Sequence, residues 1–244
     1  MTALEIAVQD AAGAAIALAG GADRVELCAA LGATGGLTPT LGTLEATTAT
    51  GVGVHVLIRG RPGGFVYTRA EVTTMAADIA HLVGAGASGV VIGALNEDAA
   101  VDRDATAALI AAARGAGAVD VTFHRALDAA ADPLVALQVL AELGVDRVLT
   151  SGGAPTAGDG LDVLAALVEA DSGVQIMAGG GVRPDTVPEL VAIGVDAVHL
   201  SARTLVADPG RSGPGGGVSG GLEATDPDVV AAARRALDPS VACR

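Results

Sequence analysis

Four times in this chain a glycine precedes a valine by four residues at the start of an apolar run: Gly21 to Val25, Gly86 to Val90, Gly144 to Val148 and Gly194 to Val198. Each glycine closes a stretch of helical character, where a left-handed residue stops a helix. The short turn that follows suits parallel strand–helix units, because a parallel strand is reached only by a crossover. Strands are expected near residues 4–8, 24–28, 53–59, 90–95, 120–124, 147–150, 174–178 and 197–201. Eight such units in about 200 residues fit a single (β/α)8 TIM barrel. The alternative is a doubly wound open sheet. It predicts a glycine fingerprint for a dinucleotide after the first strand, which Gln9-Asp10-Ala11-Ala12-Gly13 does not supply.

The barrel is expected over residues 1–203. Residues 204–244 then form a Gly/Pro-rich linker, concentrated at 208–221, and a C-terminal tail helix near Pro227, all within the same domain. A loop is expected over residues 32–40, and Pro184 reads as the first residue of the helix after strand seven.

Period-two alternation sorts the strand residues into two faces. One is apolar: Leu4, Ile6 and Val8, then Val25 and Leu27, then Val54, Val56 and Ile58, then Val121 and Phe123. The other carries Glu5, Glu26, Cys28, His55, Arg59, Thr122, His124, His199 and Ser201. Barrel interiors are mostly filled by branched apolar side chains, so charges inside one are costly unless paired. Two readings follow: a buried ion-pair network that only fixes register, or a polar pocket at the C-terminal mouth. In the pocket reading Glu26 and His124 are the candidate catalytic pair. Glu5, His55, Arg59, Arg61 and Arg125 are candidate ligand-binding residues.

Glycine runs strengthen the pocket reading. Ser151-Gly152-Gly153 and Gly179-Gly180-Gly181 follow strands six and seven, and Ser201 closes strand eight. Gly152, Gly153, Gly180, Gly181 and Ser201 are therefore expected to present backbone N–H groups to a small anion. Phe65 and Tyr67, two of only three aromatic residues, fall in the loop after strand three at the same mouth.

Composition narrows the partners. Hydrophobic residues are 51% but aromatics only 1%, so Val, Leu, Ile and Ala must build the core. Net charge is −14 and every basic residue is arginine, which argues against nucleic acid or an anionic membrane surface. The absence of lysine excludes a Schiff-base nucleophile. Two cysteines, Cys28 and Cys243, make no disulfide framework, and the N-terminal residues carry no basic-then-apolar leader. A cytoplasmic location is the expectation.

Residues 4–203 resemble the CutC copper-homeostasis family. The resemblance rests on Gly21-Ala22-Asp23-Arg24-Val25-Glu26-Leu27-Cys28, Gly35-Gly36-Leu37-Thr38-Pro39 and Val54-His55-Val56-Leu57-Ile58-Arg59. It continues through Thr122-Phe123-His124-Arg125-Ala126, Leu149-Thr150-Ser151-Gly152-Gly153, Gly179-Gly180-Gly181-Val182 and His199-Leu200-Ser201-Ala202. It implies a cytoplasmic barrel, commonly a homo-oligomer (dimer or tetramer), with a role in copper homeostasis and copper(I) binding as a property to test. The chain departs from it at Ala7, where many members have cysteine. Copper(I) prefers at least two soft thiolates, and inside the barrel only Cys28 remains as a metal candidate. The competing class is an enzyme performing acid–base chemistry on a phosphorylated or carboxylated small molecule.

Overall fold

The computed structural model describes residues 2–210 and 221–237. Cys243 and most of the expected linker lie outside these residues. The elements are β1 (Ala3–Val8), α1 (Ala11–Ala19), β2 (Arg24–Leu27), α2 (Leu31–Thr34), α3 (Leu41–Thr48), β3 (Val54–Leu57) and α4 (Arg69–Gly84). There follow β4 (Gly89–Ile92), α5 (Arg103–Ala116), β5 (Asp120–Phe123), a 3-10 turn (Arg125–Ala129), α6 (Pro133–Leu143), β6 (Arg147–Thr150), α7 (Leu161–Glu169) and β7 (Gln175–Gly179). The last are α8 (Val187–Ala192), β8 (Ala197–Leu200), β9 (Arg203–Val206), β10 (Leu222–Thr225) and α9 (Pro227–Leu237).

Strands β1 to β8 are all parallel and close in sequence order, β8 pairing back onto β1 through Glu5 and His199. This is the TIM barrel expected from the alternation. The four helix-stopping glycines have φ of +88°, +104°, +79° and +87° at Gly21, Gly86, Gly144 and Gly194. The four valines that follow them are fully buried. Asp10, Thr68, Asp102 and Asp132 cap the starts of α1, α4, α5 and α6 by accepting from first-turn N–H groups.

The apolar strand face packs outward against the helices and forms one continuous core with them. The inward face forms two small apolar clusters, Cys28-Leu57-Val91 and Leu149-Met177-Ala197, separated from that core by the barrel wall. Between them lies the polar interior. The 51% hydrophobic content therefore serves the wall's outside, and polarity is concentrated within.

Three local expectations are corrected. Residues 31–34 form α2, a single turn bracketed by left-handed Ala30 and Gly35, where a loop was expected. Pro184 lies in a turn closed by the Thr186 N–H donating to the Arg183 carbonyl; α8 starts at Val187, with Pro188 in its first turn. Residues 203–206, at the expected end of the barrel, and 222–225, within the expected linker and tail, pair as an antiparallel ribbon. An Arg203–Glu223 ion pair of 2.6 Å ties its strands together. The tail helix α9 buries Val230, Ala233 and Leu237 and packs on α1 and α8.

Candidate active site

The interior polar residues form two tiers. In the lower tier Glu5 is fully buried and bonded to the Arg24 guanidinium. Arg147 donates to Thr122 Oγ1 at 3.1 Å and Gln175 Oε1 at 3.0 Å, and lies 3.3 Å from the Asp120 carboxylate. His55 sits 4.0 Å from Glu5 and 3.9 Å from Asp120. Burial pushes its imidazole down to about 4, so it is neutral and these contacts are not ion pairs.

One side chain joins the tiers. His199 Nδ1 meets Glu5 Oε1 at 2.8 Å, and its Nε2 lies 3.5 Å from Glu26 Oε2. Burial works against charge on Glu5, but the hydrogen bond from His199 and the guanidinium of Arg24 outweigh it and hold Glu5 well below the usual carboxylate range. Burial likewise opposes charge on His199, and its bond to Glu5 and the nearby Glu26 outweigh that and raise its pKa. At the end of the line Glu26 is dominated by burial, with His199 only partly compensating, and is pushed up to about 7. A carboxylate, an imidazole and a second carboxylate in series thus leave the outermost group poised to exchange a proton near neutrality.

Above this line opens a cavity of about 350 Å³. Its polar lining includes Glu26, His199, His124, Arg59, Arg125 and Arg203; Leu31, Leu57, Phe65, Leu149 and Leu200 supply apolar surface. Both candidate catalytic residues, Glu26 and His124, are at this cavity. Glu5 and His55 are not in its lining, and Glu5 is connected to it through His199.

His124 follows β5 and caps the 3-10 turn, its Nδ1 accepting from the Ala126 N–H at 3.1 Å. Nδ1 is therefore the bare nitrogen and Nε2 carries the proton. Burial and the Arg59 guanidinium push His124 down to about 3. Its Nε2 is buried without a partner among the described residues. The ring tilts against Phe65 at 5.0 Å and covers Gly93, where any Cβ would collide with it. Such a histidine is a neutral hydrogen-bond donor and a poor base.

The candidate anion ligands divide. Arg59 lines the cavity and donates to the carbonyls of Thr34, Gly36 and Gly63 at 2.8, 3.0 and 2.8 Å, leaving its Nε without a partner among the described residues. Arg61 does not reach the cavity; it pairs with Glu71, stacks over Tyr67 and donates to the carbonyls of Gly64 and Val66. Phe65 reaches the cavity and Tyr67 does not.

Gly152 and Gly153 are also corrected, because the protein fills their nest itself. Asp128 accepts from the backbone N–H of Ser151 at 2.9 Å and of Gly153 at 3.2 Å. The Gly152 N–H donates to Thr150 Oγ1 at 2.9 Å. Gly180, Gly181 and Ser201 do line the cavity. The Arg125 guanidinium, which donates to Asp128 at 2.7 Å and Ser151 Oγ at 3.0 Å, lies directly over Gly180. Among the described residues no backbone carbonyl accepts from the N–H of Gly181 or Val182.

Sequence reasoning missed Asp128 as the loop's internal anion. It also missed Arg24, Asp120 and Arg147 in the lower tier. Their parity on strands two, five and six was the available signal. Arg203 carried none, because it was expected at the very end of the barrel and the ribbon it belongs to was not foreseen.

Cys28 does not fit copper(I). Its thiol is fully buried between Leu57 and Val91, with Val8 O 3.7 Å away as its acceptor. Burial, then the Glu26 charge, push its pKa up, opposite to the thiolate a soft metal requires. Among the described residues no group of three or more His, Cys, Asp or Glu side chains is placed to hold a metal ion.

The class of protein is a parallel eight-stranded barrel with buried Glu5, His199 and Glu26 in series beneath a cavity at its mouth. Residues 2–204 match the family model described as CutC family. A CutC family protein of Caulobacter vibrioides is 44% identical over 239 residues, 96% of each chain. Another from Agrobacterium fabrum is 42% identical over 231 residues, 93% of this chain and 90% of that one. A crystal structure named for the copper homeostasis protein CutC, from Streptococcus agalactiae, is 30% identical with a TM-score of 0.74, covering 82% of this chain and 98% of that one. The chain belongs to the CutC family. Among the described residues no helix is long and apolar enough to cross a membrane.

Proposed function

We propose that the mouth of this barrel is an enzyme site that moves a proton on a small molecule carrying an oxyanion. Glu26 exchanges the proton, His199 and Glu5 set its basicity, and His124 Nε2–H donates to the substrate. Arg125 with the backbone of Gly180, Gly181 and Val182 holds the anion. The observation that carries the reading is the Glu5–His199–Glu26 line ending in a cavity of about 350 Å³. Only a small ligand fits there, which matches an acidic protein with one local cationic spot. Copper homeostasis, attached by name to the Streptococcus agalactiae protein, is on this reading served without Cys28 as a copper(I) ligand.

Calorimetry with inorganic phosphate tests it. Binding weakened about tenfold or more by Arg125→Ala supports the anion site. Repeating the titration in buffers of different ionisation heat should reveal proton exchange on binding, with a midpoint near 7, that Glu26→Gln abolishes. Failure of phosphate to bind, or binding indifferent to both substitutions, overturns the proposal.

A further inference from the structure

The unpartnered Nε2–H of His124 specifies what the substrate must contain. We infer that the site acts on a phosphorylated carbonyl compound, His124 Nε2–H gripping the carbonyl oxygen while Glu26 removes a proton from the adjacent carbon. The inference rests on the proposed function above and names its substrate class.

Three observations converge. His124 lines the cavity and is 5% exposed, yet its Nε2 has no acceptor among the described residues. A buried donor left without a partner is costly, so its acceptor is expected from a ligand. The Ala126 N–H fixes the tautomer by occupying Nδ1, so Nε2 can only donate while the ring is neutral. Gly93 supplies the space for the ring, and Phe65 closes one side of it. A neutral imidazole and a carboxylate lining one cavity pair a donor for developing oxyanion charge with a base.

The step balances without a co-reactant. The ionised Glu26 takes the proton from the carbon next to the carbonyl, and that C–H electron pair becomes the new C=C bond. The carbonyl π pair moves onto oxygen, where His124 Nε2–H donates to it. Return of the proton from Glu26 to the carbon it left regenerates the carbonyl compound and the carboxylate; where that carbon bears a hydroxyl, moving the hydroxyl proton to the enolate oxygen lets the carbon-bound proton return to the former carbonyl carbon instead, giving the isomeric carbonyl compound. The phosphate at Arg125 and Gly181 takes no part in bond making and positions the carbon.

Two probes separate this inference from the reading beneath it. Glycerol 3-phosphate offers the phosphate without a carbonyl or enolate oxygen; phosphoglycolohydroxamate mimics the enediolate and carries the same phosphate. Calorimetry should show the hydroxamate binding about a hundredfold tighter, the scale of one donor to an oxyanion. His124→Phe should erase that excess and leave glycerol 3-phosphate affinity within about twofold. In the wild type, 15N NMR should show His124 neutral with its proton on Nε2 from pH 5 to 8, and the Nε2 proton moving downfield on adding the hydroxamate. If both probes bind equally, or the excess survives His124→Phe, the carbonyl inference is overturned and the anion site stands. If neither binds, the proposed function fails with it. Should His124→Phe not fold, the wild-type NMR result decides: an unmoved Nε2 proton, or a proton on Nδ1, overturns the inference.

Discussion

Asp128 Oδ1 accepts a hydrogen bond from the Ser151 backbone N–H at 2.9 Å, and the same carboxylate reaches Gly153 N–H, Ser151 Oγ and Thr150 Oγ1. A side chain from the loop after β5 thereby fills the backbone nest after β6. Asp128→Ala should leave these donors unmet and destabilise the protein by about 2–4 kcal/mol, read by urea denaturation; Asp128→Asn should cost less, having one acceptor oxygen. A loss below about 0.5 kcal/mol for Asp128→Ala would show that the loop does not depend on this carboxylate.

Glu5 and His124 separate structure from function. Glu5 is buried between Arg24 and His199, so Glu5→Gln strands two charged partners and should cost about 3–5 kcal/mol. His124→Asn retains an acceptor for the Ala126 N–H and removes an Nε2 that has no partner among the described residues, so it should cost about 1–2 kcal/mol and lower phosphoglycolohydroxamate affinity about a hundredfold. Chemical denaturation and phosphoglycolohydroxamate titration on both variants check this. A large stability loss in His124→Asn with binding unchanged would reverse the assignment.

The pH dependence has a definite sign. Glu26 is raised from an ordinary 4.5 to about 7 by burial, so the folded state binds the extra proton between those values. Stability from this group is therefore lost as pH rises through that window. His199, raised by Glu5 and Glu26 against burial, contributes stability below its ordinary value and loses it as pH rises through its higher folded one, in the same direction. Glu26→Gln removes the first contribution. Relative to wild type it should gain about 1–3 kcal/mol between pH 5 and pH 8, measured by urea titration at each pH. Parallel wild-type and variant curves would mean that Glu26 titrates in the ordinary range.

Cys28 is a packing residue with its thiol protonated. Cys28→Ala should cost about 1–2 kcal/mol through the lost contact with Leu57 and Val91. Copper(I) affinity, measured by competition with a chromogenic chelator, should be weak in both proteins and unchanged by the substitution. Stoichiometric copper(I) that resists the chelator in wild type and is lost in Cys28→Ala would restore the thiol as a ligand.

How much of this was legible in the sequence depends on reach. Val25, Val90, Val148 and Val198 pointed to the barrel because strand and helix periods, and the glycines between them, are local signals. Glu26 and His124 were legible for the same reason: parity along a strand assigns a side to each residue. Asp128 was not, since its carboxylate crosses to another loop. Arg61 was placed at the mouth because counting charges there does not tell which are already bound to Glu71 and to carbonyls. The β9–β10 ribbon was hidden by intervening Gly- and Pro-rich sequence.

Gly93 carries the last prediction. In the sequence it interrupts an apolar strand without evident purpose; in the structure its missing Cβ makes the space filled by His124. Its φ lies outside the left-handed region, so a side chain there strains no backbone and collides only with the imidazole. Gly93→Ala should therefore displace the His124 ring, destabilise the fold by about 1–3 kcal/mol and weaken phosphoglycolohydroxamate binding at least tenfold. Combining it with His124→Asn separates the two causes, because the smaller side chain relieves the collision. The double variant should be more stable than the sum of the single losses by about 1 kcal/mol or more, and no weaker in binding than His124→Asn alone. Strict additivity in stability, or hydroxamate binding unaffected by Gly93→Ala, would show that the space above Gly93 does not set the position of His124.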